Sequence, residues 1–207
     1  PAFGGWSEEK TLDDDRETFD RLREFRGLGQ PILVSINRKN FLRDLAGRST
    51  DEALPVSLAA TSMAVERGAH VVRTHDVAET TDAATIGDAF ARDRLRDAEL
   101  GVEELDVTNA GEGARHLERL GADPEAADET ATRVFELSAL GDAERETLAA
   151  AAMDAGVTVA PGPKAVLLAG TPGALARLRS RVADESGADG ATDRLVETLD
   201  AVSDPEQ

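Results

Sequence analysis

The chain has 207 residues, enough for one large or two small domains, and 41 Asp and Glu against 23 Lys and Arg give a net charge of −18. This acidity argues against nucleic-acid and membrane partners, because anionic phosphates are bound by basic patches. The absence of cysteine excludes a disulfide framework and thiolate chemistry.

Two interpretations of the acidity compete. A disordered, solvating chain would be acidic and poor in apolar residues, whereas 41% of these residues are hydrophobic and they recur periodically. We therefore interpret the chain as a folded cytoplasmic protein adapted to high salt, in which screening makes a dense carboxylate surface tolerable. No apolar run approaches the roughly 18 residues of a membrane span.

The first part of the chain predicts helices alternating with short apolar strands, which indicates parallel βα units. Ile86 and Phe90 are expected to face inward on the third helix. The predicted elements are a helix at 13–28, a strand at 31–36, a loop at 37–50, a helix at 55–67, a strand at 69–73 and a helix at 80–96.

From about residue 97 the pattern changes and predicts a separate small α+β domain over 97–185, of ferredoxin-like type. Thr171 and Pro172 in "GTPGAL" are explained by helix capping. An acidic linker and a short helix are predicted over 186–207. The predicted elements between are strands at 104–109, 133–139, 157–160 and 165–169, with helices at 112–120, 142–155 and 171–182.

Polar residues follow the first two predicted strands directly, as Asn37-Arg38-Lys39-Asn40 and as Arg73-Thr74-His75-Asp76. The ends of adjacent parallel strands lie about 5 Å apart, so Lys39, Arg73 and His75 should converge on one rim. Arginine binds phosphate oxygens as a fork and lysine acts as a point charge, which predicts an anion site, most simply for phosphate or diphosphate. The asparagine amides suit a polar heterocycle.

Each of these residues also has a structural interpretation. Lys39 alone would be an ordinary surface residue, Arg73 could pair with Asp76, and His75 could cap or pack. No His, Cys or Asp cluster has metal-ligand spacing, so no metal ligand is predicted.

"PILVSINRKNF" and "LAATSMAVERGAHVVRTHDVAET" together resemble the C-terminal part of dihydropteroate synthase, whose motifs are SRKSF and RVHDV. The opening "PAFGGW" is similar to the DPGIGFGK loop of that family. The resemblance covers residues 1 to about 95, with three motifs in register, and does not extend over 96–207. It implies the C-terminal portion of a pterin-binding (β/α)₈ TIM barrel over 1–96.

The resemblance further implies condensation of 6-hydroxymethyl-7,8-dihydropterin diphosphate with 4-aminobenzoate, which gives 7,8-dihydropteroate for folate biosynthesis. Lys39 would hold the pterin, Asn40 would contact the aminobenzoate carboxylate, and Arg73 and His75 would bind the diphosphate. Lys39, Arg73 and His75 are therefore predicted to be catalytic, and the predicted substrate-binding residues are Asn37, Arg38, Asn40 and Trp6.

Several departures from the family pattern qualify these expectations. Asparagine replaces serine at positions 37 and 40. A barrel of this type takes about 250 residues, so we expect a fragment, or a chain that needs another half. Magnesium is expected to be bound by residues of that other part, and a homodimer is expected through barrel helices.

Two alternatives stay open. One is a pterin- or folate-dependent methyltransferase on the same barrel. The other is a noncatalytic pterin-binding or interaction module. The sequence of 97–207 indicates no function.

Overall fold

The computed structural model describes Phe3 and residues 11–97, 99–185 and 193–203. The chain forms two compact units, Pro1–Asp106 and Val107–Gln207, and both mix helix with strand. In these ranges no helix is long and apolar enough to cross a membrane. The predicted domain boundary after residue 96 stays a prediction. Residues 97–106, which follow it, belong to the first compact unit.

The first unit confirms the predicted alternation of helices with short strands. Thr11 begins the first helix with a capping box, in which its N–H donates to Asp14 at 2.7 Å. The elements are α1 Leu12–Asp20, a 3₁₀ helix Leu22–Leu28, β1 Leu33–Val34, α2 Asn40–Ala46, α3 Leu54–Glu66, β2 Val71–Val72, α4 Val77–Ala89, β3 Arg96–Asp97 and β4 Val102–Glu103.

The two strands β1 and β2 pair in parallel, with Leu33 opposite Val71 and Val34 opposite Val72. The crossover through α2 and α3 therefore confirms the predicted βα unit, although both strands are shorter than expected. Three aromatic rings pack in the same core cluster as Val34 of β1. The ring centroid of Phe3 lies 5.4 Å from that of Phe41 and 6.0 Å from that of Phe19. This packing fixes the strand ends from which the polar loops project.

The predicted helix over 80–96 is wrong at its C-terminal end and in its buried face. α4 ends at Ala89, and Ile86 and Phe90 are 55% and 78% exposed. The buried face instead carries small residues, Thr80, Ala83 and Gly87. Small side chains allow two helix backbones to approach closely, and here that closeness outweighs the burial of the larger apolar residues.

Replacing Gly87 with valine is expected to destabilise the first unit by about 1–3 kcal/mol, because overpacking forces the helices apart. A Cβ at position 87 would lie 2.4 Å from the Ser62 carbonyl oxygen and 2.9 Å from the Val65 Cβ. Ala78→Val, an exposed site on the same helix, is the matched control for valine's helix propensity. Urea unfolding of both variants measures the difference, and equal losses would contradict the close contact.

The second unit contains a three-stranded antiparallel sheet in the order β5-β7-β6, with helices in its connections. β5 and β6 are thus parallel to each other and flank β7, as in the split β-α-β unit that begins a ferredoxin-like fold. The elements are α5 Ala110–Leu120, a 3₁₀ helix Pro124–Glu129, β5 Arg133–Leu137, α6 Asp142–Ala152, β6 Thr158–Pro161, β7 Val166–Gly170, α7 Pro172–Glu185 and α8 Asp193–Ser203.

One expectation for the region after residue 97 is wrong and another is confirmed. The predicted strand over 104–109 is wrong, because Asp106 is buried between Arg23 at 3.0 Å and Arg94, and the pairing strand is β4. The predicted terminal helix is confirmed as α8, whose Leu195, Leu199 and Val202 are buried in the core of the second unit. The linker before it lies outside the described residues.

Candidate active site

The loops that follow β1 and β2 border a cavity of about 330 Å³. Four predicted site residues meet there, and Ser35 and Thr74 join them without having been predicted. Ser35 precedes Asn37 by two positions, and Thr74 lies between Arg73 and His75. Their position at the strand ends could therefore have indicated them. The lining residues are Ser35, Asn37, Lys39, Arg73, Thr74 and His75.

Arg73 is held beside the cavity by a fork of hydrogen bonds. Its Nε and Nη2 donate to the Ser35 Oγ at 3.2 and 3.1 Å, and its backbone N–H donates to the Val34 carbonyl at 2.9 Å. The side chain is otherwise exposed. The guanidinium is therefore oriented by the neighbouring strand and can still donate to a ligand, and it does not pair with Asp76.

Lys39 and His75 enter the same cavity from the two loops. Lys39 is the half-buried N-cap residue of α2, with an extended backbone at φ −72° and ψ 151°. His75 is exposed and directly precedes the N-cap residue of α4. Among the described residues lining the cavity, two are fixed cations, one is an imidazole and none is a carboxylate. In a chain of net charge −18, this is a local reversal of sign that suits an anion.

Asn37 links the two loops. Its Nδ2 donates to the Thr74 Oγ1 at 3.1 Å and to the Asp76 Oδ2 at 2.9 Å. Donation from Arg38 and from Asn37 holds the pKa of the Asp76 carboxyl below its usual value. The charged form of Asp76 is therefore favoured, and its carboxylate pairs with Arg38 and is not part of the cavity lining.

Two predicted site residues, Arg38 and Asn40, do not line the cavity, and a third cannot be placed. The Arg38 guanidinium lies on Asp76 and on the Thr50 carbonyl, at 3.1 and 3.2 Å. Asn40 is exposed, and its Oδ1 accepts from the Arg43 Nη2 at 2.6 Å, because Arg43 lies one turn later on α2. Trp6 lies outside the described residues. Substrate contacts by these three stay predictions.

This cavity does not suit magnesium, whose ligands are expected in the other part of the barrel. Magnesium prefers carboxylate oxygens, whereas the lining side chains are cationic or neutral. Across the described ranges, no group of three or more His, Asp or Glu side chains is arranged to hold a metal ion.

The glycine-containing stretch "GTPGAL", which the sequence explains by helix capping, begins α7 and offers no open phosphate site. The Thr171 Oγ1 accepts from the Ala174 N–H at 3.2 Å, which confirms the predicted cap of α7. Glu129 lies at the same helix end, where it accepts from Arg177 and from the Thr171 hydroxyl, and these bonds lower its pKa. A Cβ at Gly173 would lie 2.4 Å from the Glu129 Oε1. An internal carboxylate thus occupies the position that a phosphate would need.

Curated proteins provide an independent comparison. The enzyme named dihydropteroate synthase from Escherichia coli K12 is 36% identical over 89 residues, which is 43% of this chain and 30% of the relative. The type-1 dihydropteroate synthase of Pseudomonas aeruginosa is 42% identical over 71 residues, covering 34% of this chain and 25% of the relative. Over this part, the chain resembles dihydropteroate synthase.

The predicted resemblance to dihydropteroate synthase is thereby confirmed over about 43% of the chain. The chain spans about 30% of the length of the first curated relatives that it matches. No family model matches the chain.

The solved structures that match part of this chain include dihydropteroate synthases. The Yersinia pestis enzyme has a TM-score of 0.40 and 30% identity, over 43% of this chain and 41% of that one. The Coxiella burnetii enzyme, in complex with pteroic acid, has a TM-score of 0.40 and 33% identity, over 42% of this chain and 32% of that one. The similarity to dihydropteroate synthase therefore rests on the sequence relatives.

Proposed function

We propose that residues 1–96 are the C-terminal part of a dihydropteroate synthase barrel and that the cavity binds the diphosphate of 6-hydroxymethyl-7,8-dihydropterin diphosphate. The observation that carries the proposal is the convergence of Lys39, Arg73 and His75 on a carboxylate-free lining in the described structure. The curated relatives support the substrate class, because they are named for this activity.

The chemistry is a displacement at the pterin methylene carbon. The amine of 4-aminobenzoate forms the new C–N bond, the C–O bond to diphosphate breaks, and the amine loses a proton. Negative charge builds on the departing diphosphate, so catalysis depends mainly on preorganised cationic donors at that position. Arg73, which Ser35 already orients, and His75 are the donors we assign to the diphosphate.

Lys39 lines the cavity between the Asn37 amide and the start of α2, where a compact cation with three donors can hold the pterin. Asn40 is the residue we assign to the aminobenzoate carboxylate. To reach that carboxylate, its side chain must leave the 2.6 Å hydrogen bond with Arg43. Arg43 would then lie beside the incoming carboxylate.

The partial barrel is also part of this proposal. Parallel sheets occur almost only with both faces covered, yet Leu33 and Val71 on the paired strands are 48% and 49% exposed. We assign β1 and β2 to the end of a barrel whose other strands cover these residues and supply the magnesium ligands. We further propose that the protein forms a homodimer through barrel helices and that it is a cytoplasmic protein adapted to high salt.

The test is dihydropteroate formation from pterin diphosphate and 4-aminobenzoate in molar KCl with magnesium. It is run on this 207-residue chain and on a polypeptide extended upstream by the remaining barrel strands. Product from the extended polypeptide alone is the expected result. No product from either, with pterin still bound, would contradict the synthase and favour a pterin-dependent methyltransferase or a binding module.

A further inference from the structure

Lys39 and His75 each stand next to a residue that lines no part of the cavity. Arg38 precedes Lys39, and Asp76 follows His75. The Arg38 Nη2 donates to the Asp76 Oδ1 at 3.1 Å and its Nε donates to the Asp76 Oδ2 at 3.2 Å. This two-bond ion pair joins the loop after β1 to the loop after β2 behind the residues that face the cavity.

The backbone of Arg38 is held in an unusual conformation. Its φ of 51° is the one positive value at a non-glycine position among the described residues. Such a conformation is unfavourable for a residue with a Cβ and persists only where surrounding contacts fix it. Here the Arg38 N–H donates to the buried Ser57 Oγ at 2.7 Å, and that hydroxyl donates to the Ala53 carbonyl at 2.8 Å. The strained turn directs consecutive side chains to opposite sides, Arg38 to Asp76 and Lys39 to the cavity.

Asp76 is fixed just as tightly on the other loop. Its carboxylate also accepts from the Asn37 Nδ2 at 2.9 Å, and its N–H donates to the Thr74 Oγ1 at 3.2 Å. The Thr74 Oγ1 lies 2.9 Å from the Thr80 Oγ1 on α4. The loop that carries His75 is therefore tied both to the opposite loop and to its own helix.

We propose that Arg38 and Asp76 form a positioning pair that clamps the two loops so that Lys39 and His75 face the same anion. In this role each residue of the pair acts through its sequence neighbour, Arg38 through Lys39 and Asp76 through His75. The expected effect on diphosphate binding rests on the proposed function. The ion pair that joins the two loops does not depend on it.

The experiment measures inorganic diphosphate binding by calorimetry and amide hydrogen exchange over 36–40 and 74–77, on the full chain in high salt. Arg38→Gln and Asp76→Asn are each expected to weaken diphosphate binding about tenfold and to speed exchange in both loops, because donors are displaced from the ligand. The double variant should be no weaker than either single one, since both remove the same interaction. Arg38→Lys should recover part of the affinity, as it keeps the charge without the fork.

Arg21→Gln is the matched control, because it removes another half-buried arginine that is ion-paired, with Glu17 on α1 and with Glu24 on the 3₁₀ helix that follows. It should leave diphosphate affinity and exchange in both loops unchanged. Affinity of Arg38→Gln within about twofold of the unmodified chain, with exchange unchanged, would overturn the pair. If the unmodified chain binds no diphosphate, the proposed function fails, and exchange in the two loops alone decides the clamp.

Discussion

Replacing Arg73 with alanine is expected to weaken inorganic diphosphate binding by about a hundredfold. The guanidinium can form two charge-assisted hydrogen bonds to phosphate oxygens, each contributing about 1.5–3 kcal/mol, and each 1.4 kcal/mol is a factor of ten. Stability should change little, because Arg73 is exposed and, among the residues that the structure describes, its side chain hydrogen-bonds only to Ser35. Calorimetric titration with diphosphate measures the loss, and kcat/KM of the extended enzyme should fall in parallel.

Two controls isolate this effect. Arg92→Ala removes the same charge from an exposed arginine that pairs with Glu104, and it should leave diphosphate binding unchanged. Asn40→Ser restores the serine of the family motif outside the cavity lining, so it should change diphosphate affinity far less than Arg73→Ala. Equal affinity in Arg73→Ala and the unmodified chain would contradict the assigned role.

Lowering KCl from molar to millimolar concentration is expected to reduce the melting temperature by more than about 10 °C. The Debye length grows from about 3 Å at 1 M to about 30 Å at 0.01 M, so repulsion among the 41 carboxylates is no longer screened. Ion pairs such as that of Arg21 with Glu17, at 2.7 Å, strengthen at low salt. With only 23 basic residues in the chain, net repulsion should outweigh that gain.

Circular dichroism melts across a KCl series measure the effect. Sucrose at matched osmolality is the control, because it favours compact states through exclusion without screening charge. Stability restored by KCl and not by sucrose would support adaptation to salt. A melting temperature unchanged between molar and millimolar KCl would refute the high-salt interpretation.

The convergence of Asn37, Lys39, Arg73 and His75 could be predicted because it depends on local signals. Apolar runs mark the strands, and parallel strands bring the residues after them to one edge. The destination of Arg38 could not be predicted, because its partner Asp76 stands 38 positions away and its turn has a positive φ. Neither property is visible in the residue types.

The error at α4 has a similar origin. Ile86 and Phe90 are the larger apolar residues of that region, and size favours burial when a helix is considered alone. The contact with α3 is instead made through Ala83 and Gly87, where the Ser62 Oγ donates to the Ala83 carbonyl at 2.7 Å. Backbone proximity between two helices depends on tertiary packing, which a single helix pattern does not contain.

In the second unit, the succession of strand, helix, two strands and helix over 133–182 could be predicted from the residue pattern, and the cap at Thr171 from its residue type. The carboxylate of Glu129 at that helix end could not be predicted, because it arrives from 42 positions earlier. The buried Asp106 was likewise mistaken for part of a strand, since its partners Arg23 and Arg94 lie elsewhere in the chain.

The most direct test of the proposed site is a nuclear magnetic resonance titration of the chain with inorganic diphosphate. The account predicts shifts confined to residues 35–39 and 73–76, with the His75 imidazole among them, and their loss in Arg73→Ala. Shifts at the α7 end beside Thr171, or none at either place, would contradict the assignment of this cavity to the diphosphate.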